Sequence, residues 1–118
     1  MPENRPTLTA AQARVAADLL DELALIGVVP HGVHLYADRV SLTYLDAADR
    51  RLAANALEMS GPEWRHDGSS RVVHTGVTGT DWIALEVTSG PDAEDFRRLA
   101  EDNETAARTR AAAVKAGA

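Results

Sequence analysis

The chain has 118 residues, about one domain's worth, and its 12 basic against 18 acidic side chains give a net charge of −6. It contains no cysteine, which excludes disulfides, thiolate metal sites and cysteine nucleophiles. No apolar run approaches the ~20 residues that span a bilayer, so no membrane role is expected. An acidic chain repels a phosphate backbone, so direct nucleic-acid binding is not expected either.

The N-terminal stretch MPENRPTLTAAQ has no apolar signal-peptide core, and the expected setting is cytoplasmic. Alanine abounds, and arginine outweighs lysine so far that Lys115 stands alone. That bias points to a GC-rich bacterial genome and says nothing of chemistry.

In chain order, residues 1–6 read as a loose polar lead. Thr9 followed by Gln12 has capping-box spacing and predicts a helix start. Ala11, Val15, Leu19, Leu23 and Ile26 recur at helical spacing, with Ala16 and Leu20 widening the stripe. Gly27 is the expected stop. Two alternating runs follow, one around His34–Tyr36 and one over residues 40–44. A two-residue turn at Asp38–Arg39 would pair Leu35 with Leu42, although its residues are not those tight hairpins prefer. That register puts Val33, Leu35, Val40, Leu42 and Tyr44 on one face, and His34, Tyr36, Ser41 and Thr43 on the other.

Asp46 and Asp49 predict an N-cap and a first-turn carboxylate for a second helix. Its inner face is expected at Ala48, Leu52, Ala56 and Met59, bordered by Leu57, and Ser60–Gly61–Pro62 should end it. Trp64 opens a third strand that turns at Asp67–Ser70 into the densest β-forming stretch, RVVHTGVTGTDWIALEVT at 71–88. There Ile83, Leu85 and Val87 form the apolar set, leaving Trp82, Ala84, Glu86 and Thr88 opposite. A three-residue loop around Thr78–Thr80 would add Val73 and Val77 to the apolar side, with Trp64 joining it.

Asp92 caps the last helix, Glu94 and Asp95 occupy its first turn, and Phe96 and Leu99 should face inward. Beyond Asn103 the inner positions are alanines, so residues 111–118 are expected to fray or to dock elsewhere. The order α-ββ-α-βββ-α predicts a single α+β domain over 1–118: a mostly antiparallel five-stranded sheet with helices mainly on one face.

Four histidines invite a metal reading. His31 and His34 straddle a step from loop into strand, which is not the one-face helical spacing of a zinc pair, and no metal or cofactor is expected. Ser69, Ser70 and His74 lie close in sequence, but no nucleophile elbow surrounds them. Asp81 and Glu86 fall on opposite faces of one strand, and no glycine-rich loop leads into a helix to cradle phosphate. No catalytic residue is assigned.

The face opposite the core gathers His34, Tyr36, Arg65, His74 and Trp82, a composition closer to a contact surface than to plain solvent-facing surface. The leading expectation is a small non-catalytic interaction or regulatory protein that binds itself, as a homodimer, or another protein through this face and the C-terminal helix. The alternative is a small-molecule-binding or catalytic domain whose pocket, between sheet and helices, is lined by His34, Tyr36, His74 and Trp82. A third is an acidic inhibitor of a nucleic-acid-binding protein, with Glu94, Asp95, Glu101, Asp102 and Glu104 imitating phosphates among interrupting arginines.

Overall fold

A computed structural model describes residues 10–66, 70–78 and 83–117. The expected Thr9 cap and the lead at 1–6, residues 67–69 of the expected turn, residues 79–82 with Asp81 and Trp82, and residue 118 lie outside the described residues. The elements are α1 (Ala10–Leu25), β1 (Gly32–Leu35), β2 (Val40–Thr43), α2 (Ala47–Ala56), β3 (Glu63–His66), β4 (Ser70–Thr78), β5 (Ile83–Ser89) and α3 (Ala93–Gly117). This is an α+β fold with three helices and one five-stranded sheet of order β1-β2-β5-β4-β3.

The sheet is mixed and not mostly antiparallel as expected. Strand β5 returns to the middle of the sheet and pairs β2 in parallel, Val40 with Leu85 and Leu42 with Val87. The hairpin β1–β2 and the pairs β3–β4 and β4–β5 are antiparallel. Nothing local in the sequence marks the parallel pairing, because α2, β3 and β4 intervene between the two partners.

Helix α1 buries Ala16, Leu19 and Leu23 in one cluster with Val40, Leu42, Leu85 and Val87, while Ile26 stays exposed. Its end is a Schellman motif. Gly27 takes φ +78°, its N–H donates to the Ala24 carbonyl, and the Val28 N–H donates to that of Leu23. Val28 is buried beside the core, and the buried Tyr44 hydroxyl donates to its carbonyl. That phenol is pushed up to about 12, first by burial and then by the Asp49 carboxylate.

The first hairpin pairs Leu35 with Val40 and Val33 with Leu42, two residues away from the expected register. The loop is therefore Tyr36–Arg39, closed by Tyr36 N–H to the Arg39 carbonyl, which removes the need for an unsuited two-residue turn. A slip of two leaves the faces unchanged.

Helix α2 starts as expected, with the Asp46 side chain accepting from the Ala48 N–H and Asp49 in the first turn. It ends sooner, however, at Ala56. Glu58 takes φ +53° without being glycine, and the Met59 N–H caps the Ala54 carbonyl. Its buried face is Ala47, Arg50, Ala53 and Ala54, whereas Ala48, Leu52 and Ala56 are exposed. The helix is turned by about one residue because Arg50 is drawn completely inside.

The interior accepts a guanidinium because its hydrogen bonds are met. Arg50 Nη1 and Nη2 donate to the Asp95 carboxylate at 2.8 and 2.7 Å, Nη1 also to Ser89 Oγ at 3.0 Å, and Nε to His74 Nε2 at 3.2 Å. Asp95 and Asp92 exchange backbone N–H bonds with each other's carboxylates at the start of α3, and Arg51 reaches both. Burial alone would raise the Asp95 carboxyl, but the bonds from Arg50 and from the Asp92 N–H overcome it and hold Asp95 below its ordinary range. Arg51 is the main cause holding Asp92 low.

This cluster decides the facing of β4. Val72 pairs with Ser89, His74 with Val87 and Gly76 with Leu85, so these point toward the helices. Val73 and Val77 face the other way, opposite Thr88 and Ala84, which corrects the expectation that they join Ile83, Leu85 and Val87. Trp64, across from Val72, lies on the helix side as expected.

Helix α3 runs without a break to Gly117, and every described residue from 100 on is exposed. Phe96 contacts the Trp64 ring at 5.2 Å between centroids but stays more than half exposed, because Asp95 takes the inward position. The radius of gyration, 17.6 Å, exceeds the ~13.5 Å of a compact chain this long. No described helix is long and apolar enough to cross a membrane.

Two outcomes follow from this packing. Arg50→Met leaves a buried carboxylate short of its main partner and should cost about 3–5 kcal/mol in denaturant unfolding. A loss below about 1 kcal/mol would mean that Arg50 is not enclosed. Deleting residues 111–118 removes no buried side chain among the described residues and should leave Tm almost unchanged at low protein concentration, where a fall of several degrees would show the tail packed on its own domain.

Candidate functional site

The side of the sheet away from the helices carries a cavity of about 300 Å³ to which every strand contributes. His34 comes from β1, Tyr36 and Arg39 from the loop after it, and Ser41 and Thr43 from β2. Glu86 and Thr88 come from β5, Arg71 and Val73 from β4, and Arg65 from β3. These are the alternate positions that the pleat turns away from the core.

Glu86 is the centre. It is only 7% exposed, accepts Ser41 Oγ–H at 2.9 Å and Arg65 Nη1–H at 3.1 Å, and lies 3.3 Å from Arg39 Nε. Arg39 lies over the Tyr36 ring at 4.1 Å, and Tyr36 stacks with His34 at 6.1 Å. At the rim, Arg39 Nη1 also donates to the exposed Asp38. Arg71 makes no ion pair with any described residue. The Thr88 hydroxyl is buried and has no hydrogen-bond partner among the described residues. Such a group in the wall of a cavity is costly until something accepts or donates to it.

Of the residues expected on this face, His34, Tyr36 and Arg65 are brought together in the cavity wall. His74 is not. It is buried on the helix side, accepting from Arg50 at Nε2 and therefore donating from Nδ1 to the Ser60 carbonyl at 3.0 Å. Trp82 lies outside the described residues. The cavity also sits on the open face, whereas the expected small-molecule pocket lay between sheet and helices. Arg39, Arg71, Glu86 and Thr88 were missed as site residues. One signal was available: the Ile83–Leu85–Val87 alternation places Glu86 at the middle of the opposite face of a central strand.

A second concavity, about 610 Å³ and more open, runs between α2, the 60–62 segment and α3, along Leu52, Asn55, Pro62 and Arg98. Its surface is more apolar, although Arg51, Asn55, Ser60, His74 and Arg98 also line it. The acidic row on α3 is largely neutralised: Asp95 is held by Arg50, Glu94 and Glu101 by Arg97 with Glu94 also near Arg98, and Glu104 by Arg108. Among the described residues no group of three or more His, Asp or Glu is placed to hold a metal ion. No protein-family model, curated protein or solved structure matches the chain.

Burial is the first cause that lowers the His74 pKa from its ordinary 6.5. The nearby Arg50 guanidinium adds to it, and the bond to the Ser60 carbonyl works the other way. The folded state thus binds a proton more weakly than the unfolded chain. Stability is complete above pH ~6.5 and drains as pH falls toward the lowered folded value, at up to about 1.4 kcal/mol per pH unit. His74→Gln keeps an acceptor for Arg50 without the titration. Unfolding free energies measured from pH 7 to pH 5 should fall for the wild type and fall less for this variant, and equal slopes would remove His74 as the cause.

Proposed function

We propose that the protein is a small non-catalytic binding module whose recognition surface is the open face of the sheet. One observation carries the reading: the face holds an arginine-rich cavity around a buried, ordered carboxylate, and no described element covers it. A concave site with a few converging polar groups is where ligand recognition concentrates. A sheet face that only met solvent would have no use for a buried glutamate held by a serine and two arginines, since removing such groups from water is costly.

The freestanding part of α3 supports a second contact, self-association through residues 100–117. Most helical stability in proteins comes from packing an amphipathic face, which this stretch lacks, and here Glu–Arg pairs one turn apart supply only a few tenths of a kcal/mol each.

Screening neutral and charged fragments by amide shift mapping tests the main reading. Shifts should concentrate on β1, β2 and the Arg65, Arg71 and Glu86 positions. Hits gathered along Leu52, Asn55 and Pro62 would move the recognition surface to the groove between α2 and α3 and overturn the proposal.

A further inference from the structure

The cavity's charge count goes further than its location. Three guanidinium groups, Arg39, Arg65 and Arg71, line a space that holds one carboxylate, Glu86. Glu86 is met by Arg65 and Arg39, Asp38 points into solvent at the rim, and the exposed Glu63, on the same face as Arg65, makes no ion pair with any described residue. Arg71 is left without an ion pair among the described residues. Among the described residues, positive charge therefore exceeds negative in the wall of one concave spot of a chain whose net charge is −6, where low-dielectric walls focus the field.

Two of these groups are also held in place before any ligand arrives. Arg39 is laid on the Tyr36 ring and Arg65 is anchored by Glu86. Ordering a long side chain is one of the main costs of binding, and here it is met within the free protein. The planar guanidinium presents paired donors that match a carboxylate or phosphate. Next to them, the buried Thr88 hydroxyl has no partner among the described residues.

We propose that this cavity binds a small molecule through an oxyanion, a carboxylate or phosphate group, with Arg71 as its principal cationic contact and Arg65 and Arg39 beside it. The proposal rests on the reading of the open face as the recognition surface and adds the ligand's chemical class. The volume of about 300 Å³ lies at the small end of ligand pockets, so the molecule is metabolite-sized.

The test uses the full chain, titrated with inorganic phosphate and, separately, with succinate, at ionic strength held constant with sodium chloride so that screening does not change. Saturable 1:1 shifts of the amides around Arg65, Arg71, Glu86 and Thr88 are expected with at least one anion, and the one that saturates identifies the group. Arg71→Gln, at a partly exposed strand position, should keep the dispersed spectrum and weaken binding at least tenfold. Arg97→Gln, out on α3, should leave binding unchanged. Absence of saturation with both anions would overturn the proposal, as would binding that Arg71→Gln does not weaken. If both anions fail while neutral fragments still map to this face, the oxyanion inference falls and the recognition surface stands. If nothing binds there, both fall.

Discussion

A fully buried arginine must find a partner for its charge and its donors inside the protein, and Arg50 imposes that constraint on this fold. Asp95 answers it from α3, Ser89 from the end of β5 and His74 from the middle of β4. The ion pair need not add net stability, because desolvating both charges offsets much of their attraction. It acts by exclusion instead. If β4 slipped one residue, His74 would turn outward, Val73 would face Arg50, and a buried N–H would be left unpaired at a cost of about 1–3 kcal/mol.

The same constraint shapes the opposite face. With Val72, His74 and Gly76 directed at the helices, Arg71 and Val73 must point away from them, next to Thr88 and Glu86. The sheet then carries an arginine–carboxylate cluster on each side, and the two differ in what surrounds them. Arg50 and Asp95 are enclosed by α2, α3 and two strands, with their bonds filled from within. Around Glu86, among the described residues, the arginines lining the cavity outnumber the carboxylates, the Thr88 hydroxyl lacks a partner, and no element closes the space. The closed cluster holds the fold, and the open one is the surface we propose for recognition.

Local signals in the sequence mark much of this fold. The Leu19–Leu23 stripe, the Gly27 stop, the caps at Asp46 and Asp92, and the Ile83–Leu85–Val87 alternation each depend on a few neighbouring residues, and each holds. What failed to show was nonlocal. The parallel meeting of β2 and β5 depends on a crossover through α2, β3 and β4. Arg50 reads as a solvent-facing helix residue until Asp95, 45 positions away, is placed beside it. The stop of α2 at Glu58 carries no glycine to announce it. The facing of β4 hung on one loop length, and that parity moved His74 into the interior and Val73 and Arg71 onto the open face. Of the site, His34, Tyr36 and Arg65 were legible because their strands alternate cleanly. Arg39 was hidden in a supposed tight turn, and Glu86 was visible only as the odd charge in an apolar strand.

The facing of β4 is therefore the central claim, since it links the enclosed arginine to the open cavity. Cross-strand nuclear Overhauser contacts between the backbones of β4 and β5 in solution measure it directly. The account predicts contacts for the pairs Val73–Thr88 and Thr75–Glu86. Contacts that instead pair Val73 with Val87 would place Val73 on the core side, turn Arg71 away from Glu86, and dissolve the site.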